Sequence, residues 1–81
     1  MNNEVELPSD YIPPKNPNCL YVAENIVLSR KDVDDVKSVV REKFAMLEYF
    51  PAMKVAFLWT TEKLTSEELS KLQELYGFYE P

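Results

Sequence analysis

Three aspartates, Asp32, Asp34 and Asp35, form the densest group of side chains in this sequence that could do chemistry together. Their carboxylate oxygens could hold Mg²⁺ or Ca²⁺, and Asp32 and Asp35, three residues apart, would share one face of a helix. The three residues follow Ser29 at the start of a predicted helix, where the helix dipole favours negative charge. We interpret them as residues that stabilise the start of that helix, and we predict no metal site.

The residues that most enzymes use for catalysis are missing. The chain has no histidine, the usual general acid or base at neutral pH, so Cys19 has no imidazole to activate its thiol. One glycine cannot form the Gly-rich loop that binds a nucleotide phosphate. A single cysteine without histidine also excludes an internal disulfide and a Cys/His zinc site within one copy of the chain. We therefore predict a protein that is not an enzyme and uses no cofactor.

The chain carries a formal net charge of −5, from 14 acidic and 9 basic residues, and the acids concentrate towards its two ends. An overall negative field repels phosphates, which argues against nucleic-acid binding. Two alternatives stay open. A dimer could bind nucleic acid weakly through bases of the first helix: Arg30, Lys31, Lys37, Arg41 and Lys43. An acidic surface could instead mimic a nucleic acid and block a protein that binds one, through the arm acids with Glu62, Glu67, Glu68 and Glu74.

The length of 81 residues, 46% of them hydrophobic, fits one compact domain and is too apolar for a disordered chain. The first 18 residues carry acids and prolines in place of the apolar run of a secretory signal. The longest apolar stretches, residues 20–28 and 55–59, are too short for a helix to cross a bilayer. A lone thiol fits a reducing compartment. The sequence thus predicts a soluble, cytoplasmic protein that does not enter a membrane.

Residues 1–18 are predicted to form an extended arm, because their prolines block regular helix and central strand. The prolines in question are Pro8, Pro13, Pro14 and Pro17. The arm also holds Leu7, Tyr11 and Ile12, apolar side chains that a fully solvated tail would not need. It is therefore either a solvated leader or a strap that lies across the domain, or across a second copy, with these three side chains as anchors.

Residues 19–81 are predicted to form a single domain. Period-two alternation indicates strands over residues 19–28 and 54–60, in which Glu24-Asn25 is either a polar strand middle or a tight turn. The first helix is predicted to begin at Ser29, which pairs with Asp32 in a capping-box-like arrangement. It is predicted to end near Tyr49, because Pro51 cannot continue it. Its apolar face, at steps of three and four residues, consists of Val33, Val36, Val40, Phe44 and Leu47.

The second helix is predicted to begin after Thr65, which pairs with Glu68 in a capping box, and to end at Gly77. One helix between two strands implies a parallel pair joined by a right-handed crossover. The predicted fold class is therefore α/β, a small β-α-β-α domain behind a Pro-rich arm. Because a stable sheet normally needs three or more strands, we expect the arm, a second copy or a hairpin at Glu24-Asn25 to complete it.

One Trp, five Tyr and four Phe are more aromatic side chains than a core of this size can bury. Those left at the surface either cap the ends of the core or form a contact patch, since exposed apolar area usually marks a partner site. The predicted partner-binding residues are Leu7, Tyr11, Ile12, Tyr49, Phe50, Trp59, Phe78 and Tyr79. The sequence thus predicts a small non-enzymatic interaction, regulatory or inhibitory module, of the kind that viruses and other mobile elements encode. We expect it to bind a protein of unknown identity and to form a homodimer.

Overall fold

A computed structural model describes residues 17–81 of the chain as a small α+β domain. Three strands form an antiparallel sheet in the order β1-β3-β2, and both helices pack against one face of it. The predicted arm over residues 1–18 lies outside the described residues, except for Pro17 and Asn18. The elements are β1 Cys19–Glu24, α1 Arg30–Val40, a 3₁₀ turn Arg41–Lys43, β2 Phe44–Phe50, β3 Val55–Thr60 and α2 Ser66–Tyr76.

The last strand in the sequence, β3, occupies the centre of the sheet because it pairs with both other strands. Leu58 lies between Tyr21 of β1 and Leu47 of β2 in the observed register. Ala56, Leu58 and Thr60 point towards the helices and are fully buried, while the alternate residues of β3 point away from them. The period-two pattern predicted for this strand is confirmed.

The first strand is shorter than predicted. It ends at Glu24, because Asn25 adopts a left-handed backbone with φ of 56° that breaks the ladder. The Ile26 amide then donates to the Lys54 carbonyl oxygen at 2.9 Å, so the chain continues beside the sheet without forming a further strand. Glu24-Asn25 is therefore the end of a strand and not its middle, and no hairpin turns there.

Both helices begin with the capping boxes that the sequence predicts. The Ser29 and Thr65 hydroxyls accept hydrogen bonds from the third amide of each helix, and the Asp32 and Glu68 carboxylates accept one from the cap amide in return. Gly77 ends α2 with φ of 82°, a left-handed conformation that costs glycine least. Neither helix within residues 17–81 has the length and apolar character needed to cross a membrane.

The first helix ends at Val40, well before the predicted end at Tyr49, and residues 44–50 form a strand. Along this strand Ala45, Leu47 and Tyr49 are buried against the helices, and the residues between them lie on the other face. This alternation lets β2 form a hairpin with β3, and that pairing outweighs the helical spacing of Phe44 and Leu47.

The extra strand changes the topology. The order is β-α-β-β-α, so the predicted β-α-β-α order is wrong, and the strands are antiparallel where a parallel pair was predicted. A helical connection here joins two strands that are not neighbours, because β3 inserts between them. The hairpin also provides the third strand that the sheet needs, within residues 19–60.

Candidate functional site

One face of the sheet turns away from both helices, and we call it the outer face. Its side chains form three rows across the strands, because residues paired in register share a face. Trp59 lies between Leu20 and Met46 in the first row. Phe57 and Val55 occupy the centre of the other two rows. Seven of the nine side chains are apolar, and the full set is Leu20, Val22, Glu24, Met46, Glu48, Phe50, Val55, Phe57 and Trp59.

The apolar side chains of the outer face pack on one another side by side. The rings of Phe50 and Phe57 meet edge to face, with centroids 5.8 Å apart and an interplanar angle of 68°. Phe57 and Trp59, at the centre, are half-buried by their neighbours. Both helices pack on the opposite face, and no other helix or strand in residues 17–81 lies over this one. Val22 is buried, with 7% exposure, and the other six apolar side chains are partly exposed. The outer face is therefore a contiguous apolar surface that is partly exposed.

Tyr79 extends the outer face beyond β1. Its backbone exchanges two hydrogen bonds of 2.8 Å with Val22, so its side chain lies beside that residue on the same face. The side chain is 38% exposed, and its hydroxyl donates to Glu24 Oε2 at 2.9 Å. This hydrogen bond, with smaller contributions from burial and from the charge of Glu24, raises the pKa of Tyr79.

Two carboxylates lie on the outer face, one on each outer strand. Glu48 Oε1 accepts a hydrogen bond from Trp59 Nε1 at 3.2 Å, and Glu24 accepts the one from Tyr79. Neither is ion-paired with a lysine or arginine among residues 17–81. Glu24 is level with Val55 and Glu48 is level with Phe57, two residues further along β3. With two strand spacings between them, the Cα atoms of the two glutamates are about 12 Å apart. The outer face thus combines an apolar centre with a negative charge at each edge.

The predicted partner-binding residues separate into three groups. Phe50, Trp59 and Tyr79 come together on the outer face. Tyr49 and Phe78, expected near the surface, are in the core with 5% and 0% exposure, because β2 and the turn after α2 direct them inwards. The Tyr49 hydroxyl donates to the Ile26 carbonyl oxygen at 3.3 Å. The remaining three, Leu7, Tyr11 and Ile12, lie outside the described residues.

Several outer-face residues were not among the predicted partner-binding residues. The clearest are Leu20, Val22, Val55 and Phe57. Their alternation was visible in the sequence and assigned them to strand faces, but both faces of each strand are apolar. Nothing in the local pattern indicates which of the two faces the helices cover.

The five basic residues predicted on the first helix, of which Arg41 and Lys43 lie in the 3₁₀ turn, do not form a uniform surface. Lys31 lies 3.4 Å from Asp35, Lys43 lies 2.8 Å from Glu68, and Lys37 stands 5.3 Å from the ring centroid of Phe44. The Lys43 contact also places a positive charge inside the acidic set proposed to mimic a nucleic acid. Local pairing of opposite charges therefore interrupts both the basic and the acidic candidate surfaces.

The ion pair of Lys43 with Glu68 joins the 3₁₀ turn to α2 and makes stability depend on pH. The Lys43 ammonium, followed by the Thr65 amide, holds the pKa of Glu68 below its ordinary value of 4.5. The same hydrogen bond raises the pKa of Lys43 above 10.5. The contribution of this ion pair to the free energy of unfolding is fully present between pH 4.5 and pH 10.5, the ordinary pKa values of the two groups. It is lost as the pH falls through the lowered pKa of Glu68 or rises through the raised pKa of Lys43.

We therefore expect Glu68→Gln to reduce the dependence of the melting temperature on pH below pH 7. Glutamine keeps an oxygen that accepts from Lys43 and from the Thr65 amide, so the capping geometry survives while the charge is removed. Thermal unfolding measured between pH 2 and pH 7 tests this. The melting temperatures of the two proteins should differ most near neutral pH and converge in acid. The exposed Glu74→Gln variant is the matched control, and an equal convergence in that variant would contradict the assignment.

The acidic residues at the start of α1 have structural roles. The Asp32 carboxylate accepts from the Ser29 amide at 2.9 Å, and Asp35 lies within reach of Lys31 and of the Tyr76 hydroxyl. Within residues 17–81, no group of three or more His, Cys, Asp or Glu side chains is arranged to hold a metal ion. Cys19 is partly buried on the helix-facing side of β1, away from the outer face.

No protein-family model, curated protein or solved structure matches this chain. The geometry of the outer face is therefore the observation on which a function can be based. Seven of its nine strand side chains are apolar, and the other two are carboxylates.

Proposed function

We propose that the protein is a small non-enzymatic interaction module that binds another protein on the outer face. The observation that carries this proposal is the contiguous set of apolar side chains, six of them partly exposed, on the side of the sheet that the helices do not cover. Monomeric proteins rarely expose contiguous apolar area of this kind unless it contacts a partner. Trp59 and Tyr79, at two positions of this face, are residue types that dominate binding energy at interfaces.

A module of this kind acts by occupying its partner's surface, which fits a regulatory or inhibitory role. Two other occupants compete for the same face. One is the arm, through Leu7, Tyr11 and Ile12, and the other is a second copy of the chain in a homodimer. Either would cover the outer face in place of a partner, so the experiment must separate them from a different protein.

Site-specific photo-crosslinking tests the proposal. Phe50 is replaced by p-benzoylphenylalanine, a conservative change on the outer face, and Gln73, exposed on α2, receives the same group as the control. We expect a covalent adduct with another protein in cells of the source organism from position 50 and none from position 73. The adduct is identified by mass spectrometry, and the captured protein is purified for binding measurements.

The affinity measurement uses Val55→Thr, which keeps the shape of the side chain and its β-branch. Loss of one apolar contact should weaken binding about four-fold, corresponding to ~0.8 kcal/mol per buried apolar group. The control is Ser70→Ala, on the exposed side of α2. Thr65→Val would not be suitable, because it removes a helix cap. Equal adducts from both crosslinking positions, or unchanged affinity of Val55→Thr, would refute binding on the outer face.

A further inference from the structure

The outer face carries a carboxylate at each of two edges, and neither has an ion-pair partner in the described part of the chain. Glu24 and Glu48 each accept one hydrogen bond from an aromatic side chain of the same face, and neither is ion-paired among residues 17–81. A carboxylate can accept about four hydrogen bonds. Each of the two therefore retains acceptor capacity and charge that water satisfies while the face is open.

Covering the outer face removes water from these carboxylates. An apolar occupant would leave both charges desolvated without a partner, which opposes binding. An occupant that brings a cation to each edge instead replaces the lost water with charge-assisted hydrogen bonds. The apolar centre and the two carboxylates together therefore select an occupant that is apolar in its middle and basic on both sides.

The separation of the carboxylates fits a short extended segment. Residues i and i+4 of an extended chain are about 13 Å apart, close to the ~12 Å between the Cα atoms of Glu24 and Glu48. Residue i+2 points to the same side and would lie over Val55 and Phe57. Three strands and three rows span a flat area of only about 300 Å². Each partner in a standard interface buries about 800 Å² of accessible surface. The face is thus large enough for a segment and small for a whole domain.

Charge distinguishes the possible occupants. A second copy would place the same two carboxylates, on a chain of net charge −5, against this face. Residues 1–16 carry Glu4, Glu6 and Asp10 against the single Lys15. Both candidates are therefore net acidic, and a basic segment of a different protein offsets the two carboxylates better than either of them.

On the premise of the proposed interaction function, we infer that the outer face binds an extended apolar segment of another protein, flanked by lysine or arginine at positions i and i+4. The two cations pair with Glu24 and Glu48, and the apolar residue at i+2 packs on Phe57. The positive flanks set which segments bind, and the apolar centre supplies contact area.

A pair of synthetic peptides tests this inference on the full chain. The probe contains the sequence Lys-Thr-Phe-Thr-Lys once, flanked by glycines. The control peptide carries Glu in place of each Lys. Trp59 is the only tryptophan of the chain, and neither peptide contains one, so its fluorescence reports occupation of the outer face. We expect the lysine peptide to change the Trp59 emission saturably and the glutamate peptide to leave it unchanged. Added salt should weaken the binding, because exposed charges are screened.

The double variant Glu24→Gln with Glu48→Gln removes both charges and keeps oxygens that accept from Tyr79 and Trp59. Each exposed pair contributes about three-fold to affinity, so we expect a loss of about ten-fold. The control is Glu67→Gln with Glu74→Gln, which changes net charge equally on exposed positions of α2 and should bind as the unmodified chain does. A normal affinity of the outer-face double variant, or no binding of the lysine peptide, would overturn the basic-segment inference.

The outcomes also separate this inference from the function on which it rests. If Val55→Thr weakens binding of the crosslinked partner while the outer-face glutamine variant does not, the interaction function stands and the basic segment is wrong. A concentration-dependent dimer in sedimentation that Val55→Thr disrupts would assign the face to a second copy. If Leu7→Asp with Ile12→Asp shifts the Trp59 emission to the red and strengthens peptide binding, the arm occupies the face. Either of these two results overturns the inference.

Discussion

Replacing Phe78 with alanine is expected to lower the free energy of unfolding by about 4 kcal/mol, because a fully buried aromatic side chain leaves a large cavity. Phe78 has 0% exposure and packs edge to face with Tyr76, at a centroid distance of 6.3 Å. It also fixes the position of Tyr79, which pairs with β1. An 81-residue domain has roughly 4–12 kcal/mol of stability in total, so this variant should lose much of it. Urea unfolding followed by Trp59 fluorescence measures the change.

Two further variants show that the loss comes from the cavity. Tyr79→Ala removes a neighbouring aromatic ring that is partly exposed and keeps the backbone pairing, so it should cost only about 1 kcal/mol. Phe78→Leu refills part of the volume and should recover part of the stability. If Phe78→Ala cost no more than Tyr79→Ala, the placement of Phe78 in the core would be wrong.

Leu58→Ala is expected to cost about 3 kcal/mol, within the range for buried leucines. Leu58 lies at the centre of the central strand with 0% exposure, between Tyr21 and Leu47, and faces both helices. Because these neighbours belong to different strands, the structure cannot collapse around the cavity without breaking the register. Calorimetric and urea unfolding should both show the loss.

The matched control for this variant is Leu75→Ala, the same chemical change on α2 at a position with 52% exposure. It should leave the free energy of unfolding within about 0.5 kcal/mol of the unmodified protein. Equal losses for the two leucines would mean that burial does not distinguish them, in contradiction to the observed packing.

The features that local sequence predicts well are those whose partners lie close in the chain. Both capping boxes and the glycine end of α2 depend on hydrogen bonds between residues at most five positions apart. These bonds join residues that are close in the sequence, so the residue types at Ser29, Thr65 and Gly77 were sufficient to predict them. The alternation within β3 was likewise sufficient to predict that strand.

The second strand could not be predicted in the same way, because its partner decides its conformation. Phe44 and Leu47 fit a helical face, and the connection of residues 51–54 contains no Asn-Gly pair to indicate a hairpin. Lys54 takes the left-handed position with φ of 57° that glycine usually occupies. Pairing with β3, across the hairpin, is what makes residues 44–50 extended.

The aromatic composition of the candidate site was predictable from the sequence, but its position on the sheet was predictable only in part. The excess of aromatic side chains indicated either caps on the ends of the core or a contact patch, and Trp59, Phe50 and Tyr79 lie together on the outer face. Tyr49 and Phe78 were misplaced because each was predicted to lie at or just beyond the end of a helix, where exposure is the default expectation. The choice between the two apolar faces depends on helix packing, which no single strand encodes.

The central position of β3 has a consequence for how the protein is made. Both β1 and β2 pair with β3, and they do not pair with each other. In a growing chain that has emerged from the ribosome as far as β2, residues 17–50 therefore hold two apolar strands that cannot yet pair in the native sheet. Ladder formation must wait for Val55–Thr60, and β1 then closes a long loop to reach it, which slows folding. Until that moment Leu20, Tyr21 and Val22 are available to molecular chaperones, so synthesis itself creates a period of vulnerability that the finished domain does not have.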